Sequence, residues 1–291
     1  MNKEHFMSNI KTGLVMEGGA MRGMFTAGVI DVFMENNITF DGAIGVSAGV
    51  IFGCNIKSHQ IGRVIRYNKK YCRDPRFRST LSLLFTGSLY NVKFGYETIP
   101  NKLDPFDVET YRTNPMKFYM VATDCRKGEP VYKELVNGDS IDLKWMRASA
   151  SMPLVSTVVK IDGEHYLDGA LTDSIPLEHF ESMGYNRNIV ILTRPAGYVK
   201  KPESMQGLIN FTLRKYPKLV EKMNSRHEMY NRQTSYIFDK AKNGEVIVIC
   251  PPSELPVSRS DNNPQHLQEC YDLGRKAALE KLEEIKTFLQ K

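Results

Sequence analysis

Two short apolar runs that end in turns and lead directly into helical patterns constrain the fold of this chain more than any other feature. The first, "TGLVMEGG" (12–19), is typical of a buried strand, and "MFTAGVIDVFMENN" (24–37) follows with apolar residues at helical spacing. "FDGAIGVS" (40–47) and "AGVIFGCNIKS" (48–58) repeat this order. Because parallel strands need crossover connections, consecutive units of this kind predict an α/β fold with a largely parallel sheet covered by helices.

The rest of the chain continues the alternation of strand and helix patterns. Further strands are predicted at 117–124, 156–161, 165–167, 188–193 and 244–251. Asp162-Gly163 between the second and third is a typical hairpin turn, and a long helix is predicted from about Pro264, with Asn263 as its N-cap. Since no linker divides the chain, we expect one domain over 1–291, with a motif-bearing core over about 12–195 and a C-terminal strand and helix over about 244–290.

The composition is that of an ordinary globular protein and argues against several classes of function. Hydrophobic residues make up 42% and charged residues 25% of the chain, and a net charge of +6 is too small to indicate nucleic-acid binding. "MNKEHFMSNIKTG" (1–13) lacks the apolar run of a signal peptide, and no window approaches the roughly 18 apolar residues of a spanning helix, so we expect a cytoplasmic protein. The five cysteines lack C-x-x-C spacing, which favours reduced structural thiols over a metal or redox site.

The turn "EGGAMRG" (17–23) presents backbone N–H groups at the start of a helix, where an anion is favoured. A nucleotide phosphate is disfavoured, because Met24 and Phe25 stand where a phosphate-binding loop has Lys and then Ser or Thr. Two interpretations of the turn stay open: either it forms an oxyanion hole for acyl transfer, or its glycines only allow tight packing.

The second turn contains a serine between two glycines, Gly45-Val46-Ser47-Ala48-Gly49. A G-x-S-x-G sequence occurs by chance in roughly one chain in ten of this length, so its structural context is decisive. Here it joins a predicted strand to a predicted helix, which is the arrangement that exposes a nucleophilic serine. Because the two turns follow consecutive strands, a parallel sheet brings them to the same edge.

A serine nucleophile needs a base, and histidine is the usual one. His5 and His59 are poorly placed, His165 lies inside the hairpin strand, and His179, His227 and His266 lie in charged helical stretches. An α/β-hydrolase triad would use one of the last three, but that fold has several strands before its serine, whereas this serine follows only the second. Asp168, where "EHYLDGALTDSIP" (164–176) passes from strand to turn, is the better candidate, since burial makes a carboxylate more basic.

Four short motifs follow one another along the chain: "EGGAMRG" (17–23), "GVSAG" (45–49), "RASASMP" (147–153) and "DGA" (168–170). In this order they resemble the signature of the patatin-like phospholipases. That signature has a D-G-G-G-x-[RK]-G loop, a G-x-S-x-G elbow, an A-S-x-x-x-P segment and a D-G-[GA] turn. The resemblance covers residues 12 to about 195, and four ordered motifs are far more specific than any one.

The resemblance implies a three-layer α/β/α sandwich with a mainly parallel central sheet. It also implies a Ser-Asp dyad that hydrolyses acyl esters of lipids without histidine, metal or cofactor. By position, Ser47 is implied to be the nucleophile and Asp168 the general base. The other implied site residues are the oxyanion-hole donors Gly18, Gly19 and Ala20, the supporting Arg22, and the motif glycines Gly45, Gly49 and Gly169.

Two positions of the glycine turn depart from the family pattern. Glu17 stands where the family has Asp, and Ala20 stands where it has a third Gly. If position 20 needs a positive φ, alanine strains the loop there.

The sequence therefore predicts a calcium-independent serine acyl hydrolase of the lipase, phospholipase A or lysophospholipase type, acting on a lipid or lysolipid ester. Two alternatives stay open: an acyltransferase that uses the same serine, and a catalytically silent lipid-binding protein. The related transferases use a histidine partner, and the presence of both Ser47 and Asp168 argues against a silent protein.

Two segments bear on how the protein meets lipid. Residues 210–233 carry basic side chains among apolar ones, as a peripheral membrane helix does, although a charged, solvated face is the favoured interpretation. We expect weak, salt-sensitive binding to anionic vesicles. Residues 79–100 mix apolar and turn residues without a clear period, and are either core or a mobile flap over the site.

Overall fold

Eight strands form one mixed sheet at the centre of the structure, a computed structural model that describes residues 10–290. The strands are β1 (Lys11–Met16), β2 (Gly42–Val46), β3 (Lys117–Asp124), β4 (Glu129–Glu134), β5 (Val159–Ile161), β6 (Glu164–Asp168), β7 (Tyr185–Ile191) and β8 (Val246–Ile249). They lie in the order β5, β6, β3, β2, β1, β7, β8, and β4 also pairs with β3. β1, β2, β3, β7 and β8 run parallel, which confirms the predicted largely parallel sheet, whereas β4, β5 and β6 pair antiparallel.

Helices cover both faces of the sheet. They are α1 (Gly23–Glu35), α2 (Ala48–Lys57), α3 (Arg63–Tyr71), α4 (Thr80–Thr86), α5 (Val108–Thr113), α6 (Ser140–Ser149), α7 (Leu177–Ser182), α8 (Gln206–Thr212), α9 (Pro217–Lys242), α10 (Pro264–Glu280) and α11 (Leu282–Gln290), with a π-helical stretch at Phe94–Leu103 and 3-10 turns at Ala20–Arg22 and Gly169–Leu171. Side chains alternate along β1, so Leu14 and Met16 pack with α1 and α10 while Val15 packs with α7 and α9. The three-layer α/β/α sandwich is thereby confirmed.

The secondary structure differs from the sequence prediction in several places. Some elements are not predicted, among them β4 and α6, since the side chains of β4 are half exposed and it begins and ends with glutamate, while half of the ten residues of α6 are polar. The prediction of a single long C-terminal helix is wrong, because α10 ends at Glu280 and α11 begins at Leu282, with Lys281 between them. Lysine is a good helix former, so the sequence does not mark this break. After the break, α11 buries Ile285 completely.

The edge of β3 explains why two distant segments of the chain meet. β4 pairs along one edge of β3 as far as its last residue, so β2 and β6 share the opposite edge. β2 runs parallel to β3 up to Val46, which lies opposite Val121, and β6 runs antiparallel with Asp168 opposite Ala122. The ends of β2 and β6 therefore meet head to head, at neighbouring positions of β3.

The segment after residue 216 completes the same sheet and helix layers. β8 pairs with β7, and α10 packs so closely on α1 that a Cβ on Gly28 would lie 2.1 Å from Tyr271 O. The organisation of residues 1–291 as one domain stays a prediction, which these contacts support.

Three general properties follow from the described residues. Within 10–290, no helix combines the length and the apolar character needed to cross a bilayer. The same part of the chain contains no group of three or more His, Cys, Asp or Glu side chains placed to hold a metal ion. All five cysteines are free thiols in the described residues, and four of them are buried.

Candidate active site

Ser47 lies at a sharp turn between β2 and α2. Its backbone has φ 54° and ψ −120°, a conformation that costs a residue other than glycine roughly 1–3 kcal/mol. A Cβ on Gly45 would lie 2.6 Å from the backbone of Gly49, and a Cβ on Gly49 would lie 2.3 Å from Met16 O. Glycine at both positions therefore allows the tight turn that places Ser47 on the wall of a cavity.

Ser149, in the "RASASMP" motif at the end of α6, holds this turn in place. The Ser47 N–H donates to Ser149 Oγ at 2.9 Å, and Ser149 Oγ donates to Val121 O at 2.6 Å. The motif was noticed in the sequence, but the role of its serine was missed, because the bond joins segments that only the folded sheet brings together. Ser149 thus ties the serine turn to β3.

Asp168 ends β6 and is fully buried. Its Oδ1 accepts a hydrogen bond from Ala170 N–H at 2.9 Å, whereas no group within residues 10–290 bonds to its Oδ2. Thr123 Oγ1 donates to the Asp168 carbonyl oxygen at 2.8 Å. A Cβ on Gly169 would lie 2.2 Å from Val121 O, so only glycine fits after the aspartate. The backbone is therefore fastened to β3 while one carboxylate oxygen is left without a partner.

Burial raises the pKa of Asp168 to about 6. Loss of hydration is the largest cause, and the Ser47 hydroxyl, the Ala170 N–H and the Arg226 charge oppose it in that order. The Ser47 hydroxyl is thus near enough to influence this carboxyl, although no hydrogen bond to Oδ2 forms among the described residues.

The glycine turn after β1 lies directly against Ser47. A Cβ on Gly18 would lie 2.9 Å from Ser47 Cβ, and both residues line the same cavity. The backbone N–H groups of Gly18, Gly19 and Ala20 have no protein acceptor among residues 10–290. Ala20 has φ 51°, so position 20 does need the left-handed region and alanine strains the loop. Three unpaired donors beside Ser47 support the predicted oxyanion hole, which stays a prediction.

Arg22 supports the glycine turn through its backbone, since its N–H donates to Gly19 O at 3.1 Å. Support of the turn by the Arg22 side chain stays a prediction. Its Nε is buried without a partner in the described residues, and burial, followed by the nearby charge of Arg194, lowers the pKa of this guanidinium.

Glu17, which replaces the family's aspartate, connects the glycine turn to two distant elements. Its Oε2 accepts from Thr193 N–H at 2.6 Å, and its Oε1 accepts from Tyr230 O–H at 2.9 Å. Thr193 Oγ1 in turn donates to Gly18 O at 3.0 Å. The glutamate thus fastens the turn to the end of β7 and to α9.

Arg226 on α9 reaches the turn that follows Asp168. Its Nε donates to Ala170 O at 2.6 Å and its Nη1 donates to Glu203 Oε1 at 3.0 Å. Because Ala170 N–H bonds to Asp168, the arginine holds the turn that positions the carboxylate. Neither Arg226 nor Thr193 belongs to a local motif, so no signal in the sequence alone could have identified them.

A family model described as patatin-like phospholipase matches residues 14–180, which include the glycine turn, the serine turn and Asp168. The chain belongs to the patatin-like phospholipase family. A second model, described as a domain of unknown function, matches residues 216–290, the segment that supplies α9, β8, α10 and α11.

Relatives of this patatin-like chain differ greatly in length. The uncharacterized protein YjjU of Escherichia coli is 27% identical over 277 residues, which are 91% of this chain and 75% of that protein. Lysophospholipase NTE1 of Pyricularia oryzae is 24% identical over 175 residues, 59% of this chain but only 11% of the fungal protein. Among solved structures, VipD from Legionella pneumophila aligns with a TM-score of 0.40 and 12% identity, covering 93% of this chain and 67% of that one.

In this patatin-like chain, Ser47 and Asp168 open on a cavity of about 840 Å³. Apolar side chains line much of it, among them Phe52, Phe77, Tyr96, Ile99, Met146 and Leu154. The stretch 79–100, for which the sequence left core or flap open, has two parts. Several residues between 88 and 99 form part of the cavity wall, whereas Leu84 and Phe85 on α4 are 77% and 80% exposed. Movement of this stretch over the site stays a prediction.

No histidine among the described residues lines this cavity, and His5 lies outside the described range. His165 Nδ1 forms a 2.8 Å hydrogen bond with Tyr216 Oη, and His179 stacks on the Tyr132 ring. Within residues 10–290, the cavity wall thus holds Asp168 but no histidine, and the identity of a base for Ser47 stays a prediction.

Proposed function

We propose that this protein is a serine acyl hydrolase of the lipase, phospholipase A or lysophospholipase type, with Ser47 as nucleophile and Asp168 as general base. Family membership supports the general class, a lipid ester hydrolase. The observation that carries the finer proposal is the fully buried Asp168 Oδ2, which has no partner in the described chain and lies where β6 meets the end of β2. Burying such an oxygen costs stability, and a role in proton transfer explains why it is tolerated.

Acylation begins when Ser47 Oγ attacks the acyl carbonyl carbon and its proton passes to Asp168 Oδ2. The carbonyl oxygen becomes an oxyanion, which the N–H groups of Gly18, Gly19 and Ala20 stabilise. As the tetrahedral intermediate collapses, the bond to the leaving alcohol breaks and the alcohol oxygen takes the proton from Asp168. The products are a free alcohol and an acyl ester on Ser47.

Deacylation uses the same groups with water in place of the alcohol. Asp168 accepts a proton from water, the resulting hydroxide attacks the acyl ester, and the second oxyanion occupies the same hole. Collapse breaks the bond to Ser47 Oγ, which recovers its proton from Asp168 and releases the fatty acid. The aspartate therefore serves as base and then as acid in each half-reaction.

The cavity supports a substrate with a large apolar group. Its volume of about 840 Å³ is near the upper end of typical small-molecule sites, and its lining is mostly apolar. The fungal relatives carry the name lysophospholipase. We therefore propose a lipid or lysolipid acyl ester as substrate, with the acyl chain in this cavity.

Release of fatty acid from a lysophospholipid, a diacyl phospholipid and a short-chain ester, measured with a chelator present, tests the proposal. We expect turnover of at least one ester without added metal, and the ranking separates a phospholipase from a general esterase. Transfer of the acyl group to an added alcohol or thiol in preference to water would instead indicate a transferase. Binding of lipid without turnover of any ester would contradict the proposed hydrolysis.

The pH dependence of the reaction is expected to report Asp168. Because its pKa is raised to about 6, kcat/KM should be constant above that pH and fall about tenfold per pH unit below it, as protonated Asp168 cannot accept the serine proton. A soluble short-chain ester, assayed over a range on both sides of pH 6, gives this profile without interference from lipid ionisation. A midpoint at the ordinary aspartate value of about 4 would show that burial does not raise the pKa of the base, whereas a profile whose midpoint does not change in Asp168→Asn would contradict the assignment of the base.

Most of the apolar residues that the stretch 210–233 carries are part of the core. Leu213, Leu219 and Met223 are 3%, 0% and 2% exposed, whereas Phe211 on α8 is 64% exposed. The structure places a break between α8 and α9 within this stretch, where Pro217 begins α9. The burial along α9 supports the solvated-face interpretation, and binding to anionic vesicles stays a prediction that rests on the basic side chains and on the exposed Phe211.

A further inference from the structure

Basic side chains gather along one part of the cavity wall, beside the glycine turn. The side chains in question are Arg22, Arg194, Lys200, Arg226 and Arg259. They come from four separate segments of the chain, so the grouping is a product of the fold. We call this group the basic cluster.

The carboxylates near the basic cluster neutralise it only in part. Glu203 Oε1 lies 3.0 Å from Arg226 Nη1, 3.5 Å from Lys200 Nζ and 3.8 Å from Arg259 Nη2, so one carboxylate is shared by three cations. Glu17 faces Arg22 and Arg226, and Asp168 also faces Arg226.

The remaining partner of the basic cluster is exposed. Arg194 Nη1 pairs with Glu254 Oε1 at 3.3 Å, and the Glu254 side chain is 76% exposed, so solvent screens this contact. The cluster therefore carries excess positive charge.

The pKa values of two side chains in the basic cluster reflect the same excess of positive charge. Burial, followed by the charges of Arg226 and Arg259 with Glu203 opposing them, lowers the pKa of Lys200 to about 8. Arg194 and Arg259 likewise help burial to lower the pKa of Arg22. A bound anion would relieve this repulsion and replace water that the buried cations have lost.

Two of these arginines flank the turn that touches the nucleophile. Arg194 follows Thr193, whose Oγ1 donates to Gly18 O at 3.0 Å. The Arg259 carbonyl oxygen accepts from Met21 N–H at 3.4 Å. Since Gly18 packs on Ser47 and the charges of Arg194 and Arg259 act on Arg22 at the end of the same turn, the basic cluster lies on the side of the cavity that holds Ser47.

From this placement we propose that Arg194 and Arg259, with Arg22 and Lys200 adding to the field, bind the phosphate of an anionic phospholipid headgroup. Arginine binds phosphate with paired, charge-assisted hydrogen bonds. A zwitterionic choline headgroup also needs a carboxylate or an open aromatic face for its ammonium beside that phosphate. On this part of the wall Glu17 and Glu203 already face cations, and Arg194 and Lys200 lie over the Tyr198 and Tyr230 rings. The enzyme therefore prefers lysophospholipids with a net negative headgroup, an inference that rests on the proposed hydrolase function.

The test compares kcat/KM for lysophosphatidic acid, lysophosphatidylcholine and monoacylglycerol with one acyl chain, all in the same neutral detergent micelles. We expect the wild type to prefer lysophosphatidic acid over the other two by about tenfold or more. Arg194→Gln and Arg259→Gln should each lower the ratio of lysophosphatidic acid to monoacylglycerol activity by roughly tenfold, the size of one lost charged hydrogen bond. Arg126→Gln is the matched control, because Arg126 is an exposed arginine paired with Glu164 away from the cavity.

Binding to the Ser47→Ala protein separates this inference from the hydrolase proposal. Lysophosphatidic acid should bind more tightly than lysophosphatidylcholine, and Arg194→Gln and Arg259→Gln added to Ser47→Ala should remove the difference, whether or not the wild type proves to be a hydrolase. An unchanged preference in the double arginine variant would overturn the headgroup site. Equal losses of kcat/KM on all three esters in the arginine variants would also overturn it. The same holds if inorganic phosphate binds as tightly as lysophosphatidic acid, since such a site binds free phosphate and does not recognise the lipid.

Discussion

Replacing Ser47 by alanine is expected to lower kcat/KM for every ester by roughly 10⁴- to 10⁶-fold, because no acyl-enzyme can form without the hydroxyl. The substitution removes one oxygen and keeps the Cβ that packs against Gly18. Alanine has the same difficulty with φ 54° as serine, so the turn gains no new strain. Fatty-acid release and thermal unfolding, measured on the same preparation, should show lost turnover in a protein of nearly unchanged stability.

Ser156→Ala is the matched control for Ser47→Ala. Ser156 lines the same cavity but lies outside the four motifs and the proposed machinery. Its replacement should change kcat/KM by no more than a few-fold. Substantial turnover by Ser47→Ala would exclude Ser47 as the nucleophile, whatever the control shows.

Replacing Asp168 by asparagine is expected to reduce turnover by roughly 10²- to 10⁴-fold, the usual contribution of a general base. The amide retains an oxygen for Ala170 N–H but cannot accept the proton of Ser47. Fatty-acid release by Asp168→Asn and by the wild type, measured side by side at pH 7 to 8, gives the loss of turnover. In this pH range Asp168 of the wild type, with a pKa of about 6, is ionised.

The same substitution should stabilise the fold at neutral pH. A carboxyl whose pKa rises to about 6 on folding favours the folded state below its unfolded value of about 4 and loses that contribution as the pH rises to 6. This rise in pKa from about 4 to about 6 lowers the free energy of unfolding at pH 7 by roughly 1–3 kcal/mol. Asp168→Asn removes the carboxyl group and should restore that free energy. Denaturant unfolding should show this gain above pH 6 and almost none at pH 4.

Asp31→Asn provides a control for the activity effect of Asp168→Asn. Asp31 is also buried with a raised pKa, but it accepts hydrogen bonds from Tyr271 and Gly62 and lies away from the cavity. Its substitution should leave the pH profile of turnover unchanged. If Asp168→Asn hydrolysed esters at the wild-type rate, the base would have to be another group.

Much of the site was accessible from the sequence because its components are local. The strand, the glycine turn and the helix that follow one another in residues 11–35 depend on short-range periodicity and on glycine, and so does the turn at Ser47. The order of the motifs identified the family, and the alternation of strands and helices determined the parallel, layered architecture. Each individual motif and each strand or helix pattern is a short-range signal, which a single sequence shows directly.

The tertiary structure decided which of these components meet. Asp168 comes to lie beside the serine turn only because β2 and β6 approach along the same edge of β3 from opposite directions. Ser149, Arg226 and the rest of the basic cluster act across long separations in the chain, where no periodicity relates one residue to another. Burial likewise belongs to the fold alone, and burial is what raises the pKa of Asp168 and concentrates uncompensated positive charge in the cavity.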